Sequence, residues 1–287
     1  MPLDRGNDTS AAFTVALLIY ICRVSRHINV VQWLGPVVVV IFQVLPDNLG
    51  VYLDLGLTAL KLGEEGRVPI DRSPEGPSHG ALRAAVTTLD REGFTFEVLR
   101  REQVPAHLSE MRAVSEAWLS SKALRETGFM LGFFSERYLR RTPVALVRRR
   151  GRVVAFANLW LGSGREEMSC DLLRYVPDVP RQVMDLLLVR AMAWGAREGY
   201  RWFSLGTAPL AGPESPALAP FFSRVGAKAF RFGDHFDTAQ KLRDYLEQFG
   251  PAWTPQYLAL PGGWGMKPTL HDLAALICEG VPGAVRV

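Results

Sequence analysis

Between residues 94 and 232, strand and helix patterns follow one another in an order that few folds can accommodate. Strands are indicated by alternating or continuous apolar runs, and helices by apolar residues three and four positions apart. Consecutive strands in the middle and helix-separated strands later together predict a mixed α/β (α+β) fold. The order is a strand at 94–99, helices at 104–122 and 134–141, two strands in 144–161, a strand at 166–173, a helix at 180–199, a strand at 201–206, a helix at 215–226 and a strand at 227–232.

A ten-residue phrase occurs twice in the chain. GLTALKLGEE (56–65) and GAKAFRFGDH (226–235) share two glycines, a cation between two large apolar residues, and an acid directly after the second glycine. In each case an apolar strand (37–44 or 201–206) and a helix ending in glycine come just before. The pattern predicts a short strand that ends at Gly63 in the first phrase. We interpret the two phrases as equivalent strands of two tandem domains; the alternative is a chance agreement of two short strands.

The element order of the longer unit resembles that of a GNAT-type (Gcn5-like) acyltransferase domain. The resemblance implies tandem GNAT-like domains, of which the first is incomplete or atypical, because its front half would have to lie within 1–36 and does not match there. The predicted divisions are a partial first repeat at 1–93, a second, catalytic repeat at 94–261 and a tail at 262–287.

Composition places few limits on function. The chain has 287 residues, 48% of them hydrophobic, which suffices for substantial cores. The net charge of +4 permits an anionic partner without requiring one. The three cysteines are far apart and show neither metal spacing nor a disulfide framework, and the five histidines are scattered, so we expect a reducing compartment and no metal. The apolar run at 11–22 is shorter than the roughly 20 residues of a membrane span, so we expect a buried helix there; a membrane-associated helix is the alternative.

Five stretches between about 46 and 261 carry a second, more specific resemblance. They are YLDLGLTALKLGEE, REGFTFEV, PVALVRRRGRVVAFANL, DLLRYVPDVPRQVMDLLLVRAMAWGAREGYRWFSLGTAPLAG and FGPAWTPQYLA. Together they resemble the synthase domain of the phosphatidylglycerol aminoacyltransferases, the lysyl- or alanyl-phosphatidylglycerol synthases of the multiple-peptide-resistance type.

This resemblance implies an aminoacyltransferase. It would move a lysyl or alanyl group from an aminoacyl-tRNA to the glycerol hydroxyl of phosphatidylglycerol. No cofactor is expected beyond aminoacyl-tRNA as co-substrate. The implied location is cytoplasmic, peripheral to the inner face of the cell membrane, with a separate membrane flippase as a partner. The sequence departs from the family in residues 1–36 and in YLEQF (245–249), which lacks the family's lysines.

Asp171 and Arg174, in CDLLRY, are the catalytic candidates. Strict strand alternation places them on opposite faces, so we expect the strand to fray at Asp171, letting both turn toward a cleft. A carboxylate can accept the hydroxyl proton or hold an α-ammonium, and an arginine can grip a phosphate. The resemblance implies that this Asp-x-x-Arg is essential; the alternative is a strand-end ion pair. Cys170 is expected to point away from Asp171 into the core.

Further candidates for substrate binding follow from the resemblance, each with a structural alternative. Asp185 begins an apolar helix, where an acid also favours the helix dipole. Lys122, Arg125 and Glu126 lie at a helix end, where Lys122 and Glu126 could form a surface pair. Glu92 ends another helix and could simply be exposed.

Seven arginines lie within residues 137–152. A solvated surface is the common explanation of such a run. If helix and hairpin bring both halves together, the run predicts a surface for tRNA phosphates or anionic lipid headgroups. The candidates for polyanion binding are Arg137, Arg140, Arg141, Arg148, Arg149 and Arg150.

Two other functions remain open at this point. An acetyl-CoA-dependent N-acyltransferase would need a glycine-containing loop before the long helix, whereas RYVPDVPRQ (174–182) has no glycine and two prolines. A non-catalytic or truncated membrane- or RNA-binding homologue is the other alternative, suggested by the atypical first repeat.

Overall fold

The computed structural model describes residues 19–21, 38–71, 80–122, 134–209 and 239–263, together with parts of 266–273. The predicted helix at 215–226 and the second copy of the repeated phrase lie outside these ranges. Six α-helices have described bounds: α1 Pro46–Asp54, α2 Gly80–Arg91, α3 Leu108–Lys122, α4 Glu136–Leu139, α5 Val183–Arg197 and α6 Ala239–Glu247. None of them combines the length and apolar composition needed to cross a bilayer.

The described strands form a single sheet. They are β1 Ile19–Ile21, β2 Val38–Val44, β3 Leu57–Pro69, β4 Phe94–Leu99, β5 Val144–Arg149, β6 Arg152–Leu161, β7 Glu167–Tyr175, β8 Trp202–Pro209 and β9 Ala252–Pro261. Their order is β1-β2-β9-β3-β8-β7-β6-β5-β4, and only β7 and β8 are parallel neighbours. The predicted mixed α/β class is confirmed, with a large and mostly antiparallel sheet.

The strands of both predicted repeats share this sheet. β9 lies between β2 and β3 and joins the early part of the chain to the later part. The division at residue 93 and the tandem origin of the two repeated phrases stay predictions.

Helices α2 and α5 pack against each other on one side of the sheet, which we call the α5 side. Gly195 of α5 lies directly on β7, because a Cβ added there would overlap the sulfur of Met168 and meet Ile70 Cδ1 at 3.1 Å. Glycine therefore lets this helix approach the sheet more closely than any other residue would.

Helices α3 and α4 lie together on the opposite side, the α3 side. Arg112 of α3 and Glu136 of α4 form an ion pair of 2.7 Å, and α3 packs on β6 and β7. Leu161 of β6 pairs with Met168 of β7, so between Ala155 and Leu161 the odd-numbered residues of β6 face α5 and the even-numbered ones face α3 and α4.

Local signals in the sequence set several element ends. Ser135 caps α4 by accepting a hydrogen bond from the Tyr138 backbone N–H at 3.4 Å. The β5–β6 hairpin turns at Arg150 and Gly151, both with positive φ (51° and 80°), as a tight hairpin of matching twist requires. Gly93 follows α2 with φ 83°.

Two predictions about early strands are wrong. Gly63 does not end its strand: β3 continues to Pro69 because it is hydrogen-bonded to β8 on one side and β9 on the other. Gly63 instead follows a shift in register with β9, between Lys61 and Gly63. The described part of the run at 11–22 is strand β1, since Ile19–Ile21 pairs with the edge of β2 rather than forming a helix.

Candidate active site

The two parallel strands in the middle of the sheet separate shortly after they meet. β7 and β8 are paired only over Glu167–Ser169 and Trp202–Ser204, yet β7 continues to Tyr175 and β8 to Pro209. Beyond the last pair, the facing edges of these strands are not bonded to each other. We call this opening the fork. Asp171 lies two residues past the last paired residue of β7, at the entrance of the fork.

β7 contains an extra residue where Asp171 lies. Cys170 pairs with Leu159 and Leu173 with Ala157, so three steps along β7 match two along β6. Such a β-bulge interrupts the alternation of side chains along a strand. Residues on either side of it that are three apart can therefore share a face.

A buried asparagine holds the bulge. Asp171 and Leu172 lie opposite Asn158 of β6, which is 0% exposed. Asn158 Oδ1 accepts a hydrogen bond of 2.6 Å from the backbone N–H of Leu172. The bulged N–H, which has no place in the regular ladder, is satisfied in this way.

The bulge brings the two catalytic candidates to the same side of the sheet. Asp171 accepts a hydrogen bond from Tyr138 of α4, and the Arg174 guanidinium carbon lies 4.0 Å from the ring centroid of Trp118 of α3. The expected fraying at Asp171 is wrong, since β7 continues to Tyr175. The strand keeps its ladder and changes the direction of its side chains by the bulge instead.

The hydroxyl of Tyr138 is the centre of a polar cluster. It donates to Asp171 Oδ2 and accepts from Asn158 Nδ2 at 3.1 Å and from Trp160 Nε1 at 2.9 Å. Burial, and then the negative charge of Asp171, raise the pKa of the Tyr138 hydroxyl. The hydroxyl therefore stays protonated at neutral pH and keeps donating to the carboxylate.

Arg174 is held differently from Asp171. Only 5% of Arg174 is exposed, it stacks on Trp118, and its Nη1 donates to Leu173 O at 3.2 Å. Asp171 is half-buried, and among the described contacts no ion pair joins it to Arg174. The strand-end ion pair is therefore not the reason for this Asp-x-x-Arg. Asp171 is the more accessible of the two groups.

Cys170 lies on the α5 side, opposite to Asp171, as predicted. Its strand partner Leu159 is an odd-numbered residue of β6, and Cys170 packs against the main hydrophobic core. Burial raises the pKa of its thiol to about 12, and the nearby Asp171 charge adds to this. A thiol with this pKa is protonated at neutral pH and is a poor nucleophile.

Asp185 is not brought together with Asp171. It lies on α5, on the other side of the sheet, where Tyr245 of α6 donates to it at 2.8 Å and Gln248 at 3.5 Å. Burial raises the pKa of this carboxyl, opposed by the bond from Tyr245 and by the charge of Arg181. Through these two hydrogen bonds, Asp185 connects α5 to the segment that contains α6.

The remaining substrate-binding candidates are also dispersed. Lys122 is the last residue of α3, whereas Arg125 and Glu126 lie outside the described residues. Glu92 is exposed and lies 3.6 Å from Arg149 at the hairpin end of the sheet. An exposed pair of this kind contributes about 0–1 kcal/mol.

The arginine run does not form one cluster. The α4 half and the hairpin half lie at opposite ends of β5, whose six residues span about 20 Å. Arg148 is neutralised by Glu97 at 2.6 Å and Glu110 at 2.8 Å. Arg149 faces Glu92 and lies over the Phe94 ring at 4.8 Å. Those with side chains directed to solvent are Arg137, Arg140, Arg141 and Arg150.

Tyr138, Asn158 and Trp160 were missed as site residues from the sequence. One signal was present: Asn158 is a polar residue within the apolar run VVAFANLW, and a buried amide needs partners. Trp160 shares its face two positions later. Tyr138 comes from a helix 20 residues away, and nothing in its local pattern indicates the contact.

Comparison with known proteins agrees with this architecture. Residues 36–260 match the family described as "Phosphatidylglycerol lysyltransferase, C-terminal". A phosphatidylglycerol lysyltransferase of Bacillus subtilis (strain 168) is 33% identical over 241 residues, which are 83% of this chain and 28% of that protein. This chain thus spans little more than a quarter of that relative's length.

Two solved structures are similar in sequence and fold. The C-terminal domain (DUF2156) of a putative lysylphosphatidylglycerol synthetase from Agrobacterium fabrum is 36% identical, with a TM-score of 0.71 over 85% of this chain and 74% of that one. L-PGS from Bacillus licheniformis is 33% identical, with a TM-score of 0.71 over 84% and 74%. Since the family match covers most of its length, this chain belongs to the family of phosphatidylglycerol lysyltransferase C-terminal domains.

Proposed function

We propose that this chain transfers an aminoacyl group, lysyl or alanyl, from an aminoacyl-tRNA to the glycerol hydroxyl of phosphatidylglycerol. The relatives named phosphatidylglycerol lysyltransferase favour the lysyl group and the lipid acceptor. The observation that carries the proposal is the bulge in β7, which directs Asp171 and Arg174 to one side of the sheet at the entrance of the fork.

The reaction is a transesterification, and Asp171 is placed to move its proton. A lipid hydroxyl that donates to the Asp171 carboxylate would lose its proton as its oxygen bonds to the aminoacyl carbonyl carbon. The ester bond to the tRNA then breaks, and the proton passes to the departing ribose oxygen. One ester replaces another, so no oxidant and no covalent enzyme intermediate are needed.

Neighbouring groups prepare Asp171 for this step. Tyr138 fixes the carboxylate by donating to Oδ2, which leaves Oδ1 for the substrate. Arg174, largely buried on Trp118, acts as a nearby positive charge that stabilises developing negative charge. Its burial favours this role over the phosphate grip expected from the sequence.

The partners follow from the reaction. The tRNA donor is a polyanion and the phosphatidylglycerol acceptor is an anion. Four exposed arginines offer contacts to their phosphate groups: Arg137, Arg140, Arg141 and Arg150. We propose a location at the inner membrane surface, where the lipid acceptor is found, with a separate flippase moving the product.

A lipid-labelling assay tests the proposal. The protein is incubated with radiolabelled lysyl-tRNA or alanyl-tRNA and phosphatidylglycerol vesicles. We expect label in the lipid, a loss of at least about 100-fold with Asp171→Asn, and little change with Asp178→Asn. Asp178 is a matched control because it is exposed and lies only in a weak pair with Arg152 at 3.5 Å.

Other outcomes contradict the proposal. Binding of tRNA or vesicles without transfer would support the non-catalytic alternative. Acetyl-CoA turnover would support the N-acyltransferase. Equal activity of the Asp171→Asn protein would remove Asp171 from the chemistry.

A further inference from the structure

We propose that Glu65 is a positioning residue for this site: acting through Ser204, it holds a second bulge that keeps β8 apart from β7 and so keeps the fork open. This rests on the proposed function, in which the fork receives the substrate. Glu65 lies on β3 and touches no reacting group, so its effect passes through β8.

The second bulge lies in β8, on the other side of the fork. Against β3, Ser204 pairs with Arg67 and Thr207 with Glu65, so three steps along β8 match two along β3. Gly206 lies within the bulge and has φ 83°, a conformation that favours glycine. β7 and β8 are thus both bulged just beyond their last common pair.

A chain of hydrogen bonds holds this bulge. Ser204 Oγ accepts from the Gly206 backbone N–H at 3.2 Å and donates to Glu65 Oε1 at 2.6 Å. Gln256 Nε2 of β9 donates to Glu65 Oε2 at 2.9 Å. Ser204 and Gln256 are 5% and 3% exposed. One carboxylate therefore fixes side chains from both strands beside its own, through strong charge-assisted bonds.

The position of the bulge explains why it matters. Asp171 and Gly206 each follow the last paired residue of their strand by two positions, so they stand on the two sides of the opening. A Cβ added to Gly206 would meet no atom of the described residues within 4 Å. If the bulge relaxed, β8 could continue its parallel ladder with β7, because unpaired strand edges favour pairing. The ladder would then close the fork next to Asp171.

Ser204→Ala and Glu65→Gln test this arrangement. Alanine removes the acceptor of the Gly206 N–H. Glutamine keeps the shape of Glu65, but its one oxygen can replace only one of the two carboxylate oxygens that accept from Ser204 and Gln256. Its NH₂ group then faces the other donor. Thr207→Val is the matched control, because it removes a neighbouring hydroxyl whose described partner is Gln43 at 3.1 Å and not Glu65.

The first readout is hydrogen exchange of the Gly206 amide, measured by NMR, which needs no substrate. We expect exchange about tenfold faster in Ser204→Ala and faster in Glu65→Gln, with Thr207→Val unchanged. The second readout is lipid labelling. We expect kcat/KM for the aminoacyl donor to fall about tenfold or more in both variants and not in the control. Circular dichroism confirms that each variant is folded; should Ser204→Ala fail to fold, Glu65→Gln carries both readouts.

Each outcome decides a separate step. Unchanged exchange at Gly206 would show that Glu65 does not hold the bulge. Faster exchange with undiminished transfer would show that the bulge does not position the site. Absence of transfer by the unaltered protein would overturn the proposed function and with it the positioning role, while exchange would still decide whether Glu65 holds the bulge.

Discussion

Replacing Tyr138 by phenylalanine removes one oxygen atom and the three described hydrogen bonds of its hydroxyl. The hydroxyl donates to Asp171 and accepts from Asn158 and Trp160. Asn158 is fully buried, so the loss of the partner of its amide N–H costs about 1–3 kcal/mol. Trp160 is 36% exposed and Asp171 half-buried, so both can turn to water at a cost of about 0–1 kcal/mol.

We therefore expect Tyr138→Phe to lower the free energy of unfolding by about 2 kcal/mol, which corresponds to a fall in Tm of about 5 °C for a chain of this size. Urea unfolding measures the first quantity and calorimetry the second. Tyr257→Phe is the matched control. Among the described residues its hydroxyl has no hydrogen-bond partner, so a change within about 0.5 kcal/mol is expected.

The same substitution should slow transfer. Without Tyr138 the Asp171 carboxylate can rotate, and misplacement by about 1 Å costs up to about 100-fold in rate. We expect kcat in the lipid-labelling assay to fall between about 10- and 100-fold, with Tyr257→Phe active. Loss of stability with unchanged kcat would show that the cluster serves folding only. If neither quantity changed, the cluster around Tyr138 would have no energetic importance and the reasoning would fail.

Four further substitutions test other parts of the structure. Burial raises the pKa of Glu167, so above about pH 4.5 the folded state keeps a proton that the unfolded state has already released. The free energy of unfolding should therefore decrease as the pH rises from about 4.5 through the raised pKa. Glu167→Gln should make this decrease smaller when urea unfolding is measured at several pH values. Arg148→Ala should cost about 1 kcal/mol in urea unfolding, because its ion pairs with the partly exposed Glu97 and Glu110 are lost. Arg150→Ala should leave stability unchanged and weaken tRNA binding in a filter assay. The reverse pattern would contradict the assignment of the two arginines. Gly195→Ala should lower the free energy of unfolding, measured in urea, by about 1 kcal/mol, because crowding against Met168 outweighs the gain in helix propensity. A higher free energy of unfolding would show that α5 can move away from the sheet.

The sequence predicts elements of this fold well where each is defined by its own residues. The two strands predicted within 144–161 form the β5–β6 hairpin, and the helices predicted at 104–122 and 180–199 contain α3 and α5. Predictions fail where a neighbouring strand decides. Gly63 looks like a strand end within its own segment, but pairing with β8 and β9 carries β3 past it.

The arginine run fails for a related reason. Seven arginines in 16 residues are dense along the chain, but the strand between them is extended. A strand separates its ends by about 3.3 Å per residue, so a run that crosses one is divided in space. The carboxylates that neutralise Arg148 come from β4 and α3, and no local pattern indicates them.

Local sequence patterns do not predict the candidate site, because it depends on departures from regular strand structure. Asp171 and Arg174 are three residues apart, and regular alternation separates them. Their common side results from an extra residue, whose N–H is bonded to Asn158 on another strand. The β8 bulge is held in a similar way, because the Gly206 backbone N–H donates to the Ser204 hydroxyl. In both cases a buried polar side chain within an apolar strand holds a bulge beside the fork. A polar residue inside such a strand is therefore the sequence signal to seek, because its burial is favourable only if it satisfies a backbone group that the ladder has left unpaired.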